Sequence, residues 1–157
     1  MLTELQIQAK LVEAIKEVGG FGYKQSNKFL AGPPDLFLTH EDTGPVFIEV
    51  KLMENPSRPV LVTPLQELTM KRMQKAKTKC GVAVVIPAIE ATGGGYFIYI
   101  TSDPTKKRID SSWKMFDKKR GEQWPIIEMM EVCDTMPHGL DISAMLYSET
   151  DREDMDT

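Results

Sequence analysis

The segment Val46–Leu52, VFIEVKL, sets an acid and a base inside an otherwise apolar run. Its β-branched and aromatic residues read as a strand. On a pleat, Val46, Ile48, Val50 and Leu52 point one way, and Phe47, Glu49 and Lys51 point the other. A carboxylate and an ammonium therefore share one face. The apolar neighbours argue for a central strand, where charges are unusual. The preceding apolar stretch, GPPDLFL (Gly32–Leu38), also reads as a strand, with Asp35 at its start and thirteen residues between Asp35 and Glu49. A hairpin through His40–Pro45 brings Asp35 beside Glu49. Two carboxylates and a lysine on adjacent buried strands are costly to desolvate. A divalent metal with a polarised water is the natural group to offset that cost.

The rest of the chain supplies a frame for this cluster. Thr3 caps a first helix, with Gln6 at the capping-box position, and Gly19-Gly20 ends it. Its apolar face is Ile7, Leu11, Ile15 and Val18. Glu4 falls within that stripe, whereas a plain helix-dipole acid has no need to lie there. Phe21–Gln25 and Asn27–Leu30 are short strand candidates. Leu52–Val60 is a polar, Pro-rich loop. Thr63-Pro64 starts a second helix reaching to about Lys77. Val82–Ile86 reads as a strand covered on both faces. Gly93–Gly95 lacks a following Lys-Ser/Thr, so it is a hairpin turn into a strand Tyr96–Thr101 and not a phosphate loop. Ser111–Lys119 reads as a helix, and Pro125–Val132 as a short helix or strand. The expected class is α/β, a mixed sheet flanked by helices in the order α-β-β-β-α-β. Residues 1–101 form the core, 102–147 an extension packed on it, and 148–157 an acidic, disordered tail.

Composition excludes several classes. The longest apolar run, Val82–Ile89, is far too short to span a membrane. The amphipathic start, with Glu4, Glu13 and Glu17, is unlike a secretory signal. The two cysteines, Cys80 and Cys133, make no disulfide framework and have no partners at zinc spacing. The setting expected is cytoplasmic and reducing. His40 and His138 have no neighbours that suit a nucleophile's base. A formal net charge of −4 argues at first against nucleic acid. The distribution weakens that objection. Lys71–Lys79 and Lys106–Arg120 are basic, Glu149–Asp156 is an acidic tail, and the body without it is close to neutral.

The pattern PD-x13-E-x-K, here Pro34-Asp35 and Glu49-Val50-Lys51, resembles the catalytic signature of the PD-(D/E)XK nuclease superfamily. The order of Glu4, the G-x-P-D strand, the E-x-K strand and Gln66 at the next helix looks most like the VRR-NUC branch. That branch is similar to archaeal Holliday-junction resolvases. The resemblance covers roughly residues 1–90. It implies a restriction-endonuclease-like core and a Mg²⁺- or Mn²⁺-dependent endonuclease acting on branched or structured DNA, commonly as a homodimer. Asp35, Glu49 and the backbone carbonyl of Val50 would hold the metal. Lys51 would orient the attacking water or stabilise the scissile phosphate, Glu4 would close the cluster, and Gln66 would support Lys51 or the phosphate. Lys24, Ser26, Lys28, Arg58, Lys71, Arg72 and Lys75 are candidate DNA contacts.

Each residue also has a plainer reading. Asp35 suits a turn after two prolines. Glu49 and Lys51 suit an exposed edge pair, Glu4 a helix-dipole acid, and Gln66 a solvated helix-start amide. The lysines of the second helix suit a solvated face. Met70 and Met73 are core fillers. Trp113, Trp124 and Tyr99 suit core packing or base stacking. The alternative function is a nuclease-fold module that binds DNA or a protein partner without cutting.

Overall fold

The computed structural model describes residues 2–25 and 32–134. Ser26, Lys28, the whole candidate strand Asn27–Leu30, His138 and the acidic tail lie outside these residues. The elements run α1 (Glu4–Glu17), β1 (Phe21–Lys24), β2 (Leu36–His40), β3 (Gly44–Leu52), α2 (Pro64–Lys75), β4 (Lys79–Pro87), a 3₁₀ turn (Glu90–Thr92), β5 (Tyr96–Thr101), β6 (Lys114–Lys118) and α3 (Ile126–Val132). The six strands form one sheet in chain order, with β3 and β4 parallel and every other pair antiparallel. The helix α2 is the crossover that a parallel pair requires. The fold is α/β, a mixed sheet flanked by three helices, and its first six main elements follow the order expected from the sequence.

Local chemistry explains most boundaries. Thr3 and Gln6 close a capping box at α1, and Thr63 and Gln66 close another at α2. Gly44, at φ +71°, takes a left-handed conformation that a side chain rarely tolerates, and so turns the chain from β2 into β3. In β1, a Cβ on Gly22 would meet Leu38 Cδ2 at 2.7 Å and the Phe37 carbonyl at 2.8 Å on β2, and Ile15 Cγ2 of α1 at 3.1 Å, so glycine lets β1 lie close against β2 and under α1. One difference falls at the end of α1. Val18, assigned to the apolar stripe, is the C-cap and lies partly exposed.

Two apolar layers cover the sheet. On one face Ile7, Leu11 and Ile15 of α1, with Ile126, Met129 and Met130 of α3, pack on Leu36, Leu38, Ile48, Val50 and Ile98. On the other, Met70 of α2 packs with Val82, Val84, Ile86, Val60, Val62 and Trp113. Full burial of each such side chain contributes about 1.5–3 kcal/mol. The strand β4 lies between the layers and is apolar on both faces, the pattern read from Val82–Ile86.

Beyond β5 the structure corrects one expectation. The segment read as a helix over Ser111–Lys119 is the strand β6, paired antiparallel with β5 from Tyr96↔Lys118 to Ile100↔Lys114. The outer edge of β5 carries backbone donors and acceptors that a strand satisfies and a helix cannot. Trp113 just before β6 fills the α2-side core, its indole N–H donating to the Arg108 carbonyl at 2.9 Å. Pro125–Val132, left open between helix and strand, is the helix α3, which buries Ile126, Met129 and Met130 at helical spacing. Among the described residues no helix is long and apolar enough to cross a membrane.

Candidate active site

The strand β3 outruns its neighbour. Pairing with β2 ends at Leu36↔Ile48, so Val50 and Leu52 extend past the start of β2. Their N–H groups on that edge have no strand carbonyl to meet. Two carboxylates stand in. Asp35 Oδ2 accepts from Val50 N at 3.0 Å, and Glu4 Oε2 accepts from Leu52 N at 3.1 Å. Asp35 is placed by its position one residue before β2. Glu4 is placed by α1, whose start is held where Leu2 N donates to the Tyr96 hydroxyl at 3.2 Å. In an antiparallel pair the N–H and carbonyl of one residue share an edge, so the Val50 carbonyl lies on the same side as Asp35.

Glu49 and Lys51 occupy the other face of β3, under the start of α2. Glu49 is 2% exposed. Gln66 joins the two charges. Its Nε2 donates to Glu49 Oε2 at 3.3 Å, and its Oε1 accepts from Lys51 Nζ at 3.3 Å. The same Oε1 accepts from Thr63 N at 3.0 Å, so the α2 capping box fixes the amide that orients the pair. Lys51 Nζ itself lies 4.0 Å from Glu49 Oε1. Gln66 is therefore not a solvated helix-start amide.

Burial pushes the Glu49 carboxyl up to about 9, from an ordinary 4.5. The hydrogen bond with Asp35 and the charges of Asp35 and Glu4 act in the same direction, and Lys51 opposes them. Burial and the neighbouring acids thus favour the neutral, protonated Glu49 when no cation is bound. This is a site with more acid than its one lysine balances. Its donors, two carboxyls and the Val50 carbonyl, are hard oxygens and fit Mg²⁺ or Mn²⁺. Among the described residues no three His, Cys, Asp or Glu side chains cluster as a metal site by themselves. A cation here would therefore need backbone, water or substrate oxygens as well, which is the usual manner of Mg²⁺.

Beside these residues opens a cavity of about 790 Å³, lined by Glu4, Lys51, Leu52, Met53, Glu54, Asn55, Arg58, Pro59 and Leu61. The structure thus brings Glu4, Asp35, Glu49, Val50, Lys51, Gln66 and Arg58 to one end of β3. The lysines of α2 are elsewhere. Lys71 Nζ pairs with Glu67 at 3.6 Å, and Lys75 lies nine residues beyond Gln66, about 13 Å along the helix axis. Arg72 is exposed on the same helix, and Lys24 is exposed at the end of β1. Two contributors were not singled out from the sequence. Tyr96 was read only as a strand residue. Leu61 falls between the Leu52–Val60 loop and the Thr63-Pro64 helix start and was assigned to neither, although the Val60-Leu61-Val62 alternation marks a residue forced outward.

No family model matches the chain, and no curated protein matches it. Among solved structures, one similar to this chain is Archaeoglobus fulgidus Hjc, a Holliday junction resolvase from an archaeal hyperthermophile. It aligns with a TM-score of 0.46 and 13% identity over 68% of this chain and 86% of that one.

Proposed function

We propose that this chain is a divalent-metal-dependent endonuclease that hydrolyses phosphodiester bonds in branched or otherwise structured DNA, a member of the VRR-NUC-like branch of the PD-(D/E)XK nucleases. The observation that carries the reading is Glu49. It is 2% exposed, within hydrogen-bond reach of Asp35, and linked through Gln66 to Lys51. A purely structural core has no use for this arrangement. A buried acid against a second acid is unfavourable unless a cation is expected there. The preference for branched DNA rests on the motif order in the sequence.

Asp35, Glu49 and the Val50 carbonyl would hold Mg²⁺ or Mn²⁺. Bound there, the ion would acidify a water and neutralise charge on the phosphate. Lys51, directed by Gln66, presents its ammonium where charge grows on the non-bridging phosphate oxygens, or orients the attacking water. Glu4, tied to Leu52 N, keeps its carboxylate at the margin of the same site. Arg58, across the cavity, supplies a cation for the DNA backbone. Lys24, Ser26, Lys28, Lys71, Arg72 and Lys75 are proposed to extend the backbone contact, with Lys71 first released from Glu67. A homodimer would place two such sites on a two-fold axis, suited to cutting two strands. A cytoplasmic setting would keep the buried thiols of Cys80 and Cys133 reduced.

The test is incubation with Mg²⁺ and a panel of linear, nicked, flapped and four-way DNA, with EDTA and Asp35→Ala controls. Cleavage that needs both metal and Asp35 supports the reading. Binding of the panel without cleavage in Mg²⁺ or Mn²⁺ would instead establish the non-cutting alternative.

A further inference from the structure

The cavity beside the site joins two chemistries. One part is ionic, made by Glu4, Lys51 and Arg58. The other is apolar, made by Leu52, Met53, Pro59 and Leu61. A phosphodiester explains the first part and not the second.

Leu61 is the informative member. It is 78% exposed, while Val60 and Val62 on either side are 3% and 7% exposed and packed around Trp113. Val62 N donates to the Val60 carbonyl at 3.1 Å, which closes a three-residue turn with Leu61 at its apex. Leu61 is not among the described residues with positive φ, so the turn is the common, unstrained kind. The base of the loop is pinned as well. Val60 N donates to the Lys107 carbonyl at 2.8 Å, and the Arg108 guanidinium donates to the Ser57 carbonyl at 3.0 Å. A single exposed leucine is ordinary on a protein surface. A leucine held outward by two buried valines, at the mouth of a cavity that also contains Lys51, is a placed apolar contact.

We propose that Leu61 is a wedge that packs on the face of an unstacked nucleobase next to the scissile phosphate. The inference rests on the nuclease reading and deepens it by naming the feature of the substrate that is recognised. A continuous duplex turns phosphates and sugars outward and hides its base faces in the stack. Leu61 can meet a base face only where stacking is interrupted, as at a branch point, a flap or an opened end. Apolar side chains elsewhere enter DNA in this way, at the cost of unstacking a step. A substrate whose stacking is already interrupted nearby lowers that cost, and this would give the site a preference for branched DNA without any base-reading contact.

The experiment compares the full-length wild type with Leu61→Ser and Leu61→Phe. The probes are a four-way junction and a linear duplex, each with 2-aminopurine beside the expected cut, and Ca²⁺ replaces Mg²⁺ to separate binding from cleavage. The wild type should brighten 2-aminopurine in the junction. Leu61→Ser should lose that signal and bind the junction about tenfold more weakly, the factor carried by one lost base contact. Its duplex affinity and melting temperature should not change, and Leu61→Phe should restore the signal. Equal junction affinity and emission in wild type and Leu61→Ser would overturn the wedge. So would a sedimentation shift showing that Leu61→Ser dissociates a dimer, since Leu61 would then be a contact between copies. A wild type that cleaves in Mg²⁺ while Leu61→Ser behaves identically removes the wedge alone. A wild type that neither binds nor cleaves any DNA removes the nuclease reading with it.

Discussion

The Asp35 carboxylate accepts the Val50 N–H at 3.0 Å, in the position where a longer β2 would have offered a carbonyl. One acid thus completes the sheet and lies within hydrogen-bond reach of Glu49. Structure and proposed chemistry meet in a single side chain, so substitutions at Asp35 and Glu49 should part company.

Asp35→Ala and Glu49→Ala should each abolish metal-dependent cleavage. Asp35→Ala should also lower stability by about 1–3 kcal/mol, because it leaves Val50 N–H buried without an acceptor. Glu49→Gln removes an unfavourable acid and should raise the metal-free melting temperature. Cleavage assays and thermal melts in EDTA check both. Full cleavage by either alanine variant would remove the residue from the site.

The pH dependence of metal-free stability follows from Glu49. Its carboxyl rises from 4.5 to about 9 in the fold, chiefly through burial. The folded state therefore holds this proton more tightly than the unfolded state does. The contribution is fully present below about 4.5 and is lost as pH rises toward about 9. Melting temperature in EDTA should fall across that window in the wild type, and less steeply in Glu49→Gln. Saturating Mg²⁺ should flatten the wild-type slope by replacing the proton. Parallel slopes for the two proteins in EDTA would refute this role.

Lys51→Ala should keep metal binding and lose at least about a hundredfold in rate, the scale of one preorganised contact to the transition state. Gln66→Ala should act on the same step more weakly, since it frees Lys51 without removing it. It should also cost about 1 kcal/mol through the lost α2 capping box. Calorimetric Mg²⁺ titration beside single-turnover rates separates the effects. Equal losses of metal affinity and rate in Lys51→Ala would make Lys51 a structural residue.

Glu4→Gln keeps an oxygen that can accept from Leu52 N, so its melting temperature should stay close to wild type. If the charge of Glu4 serves the site, cleavage should fall strongly. Glu4→Ala should lose both stability and rate. Unchanged cleavage in Glu4→Gln would confine Glu4 to holding the end of β3.

Much of the frame was legible because it is local. The capping box at Thr3/Gln6 and the Thr63-Pro64 helix start depend on residues at most three apart, and the faces of β3 depend on alternation alone. All appear in the structure as the sequence implies. The thirteen residues between Asp35 and Glu49, with Gly44 to turn them, were enough to place two acids side by side. What the tertiary structure decided is nonlocal. Whether 114–118 became strand or helix depended on the unpaired edge of β5, seen only once the sheet is assembled. That Gln66 bridges Glu49 and Lys51, that Glu4 reaches Leu52 across 48 positions, and that Lys71 is held by Glu67 all depend on how α1 and α2 dock. Side-chain periodicity determines which face a residue takes, and only packing determines what stands opposite it.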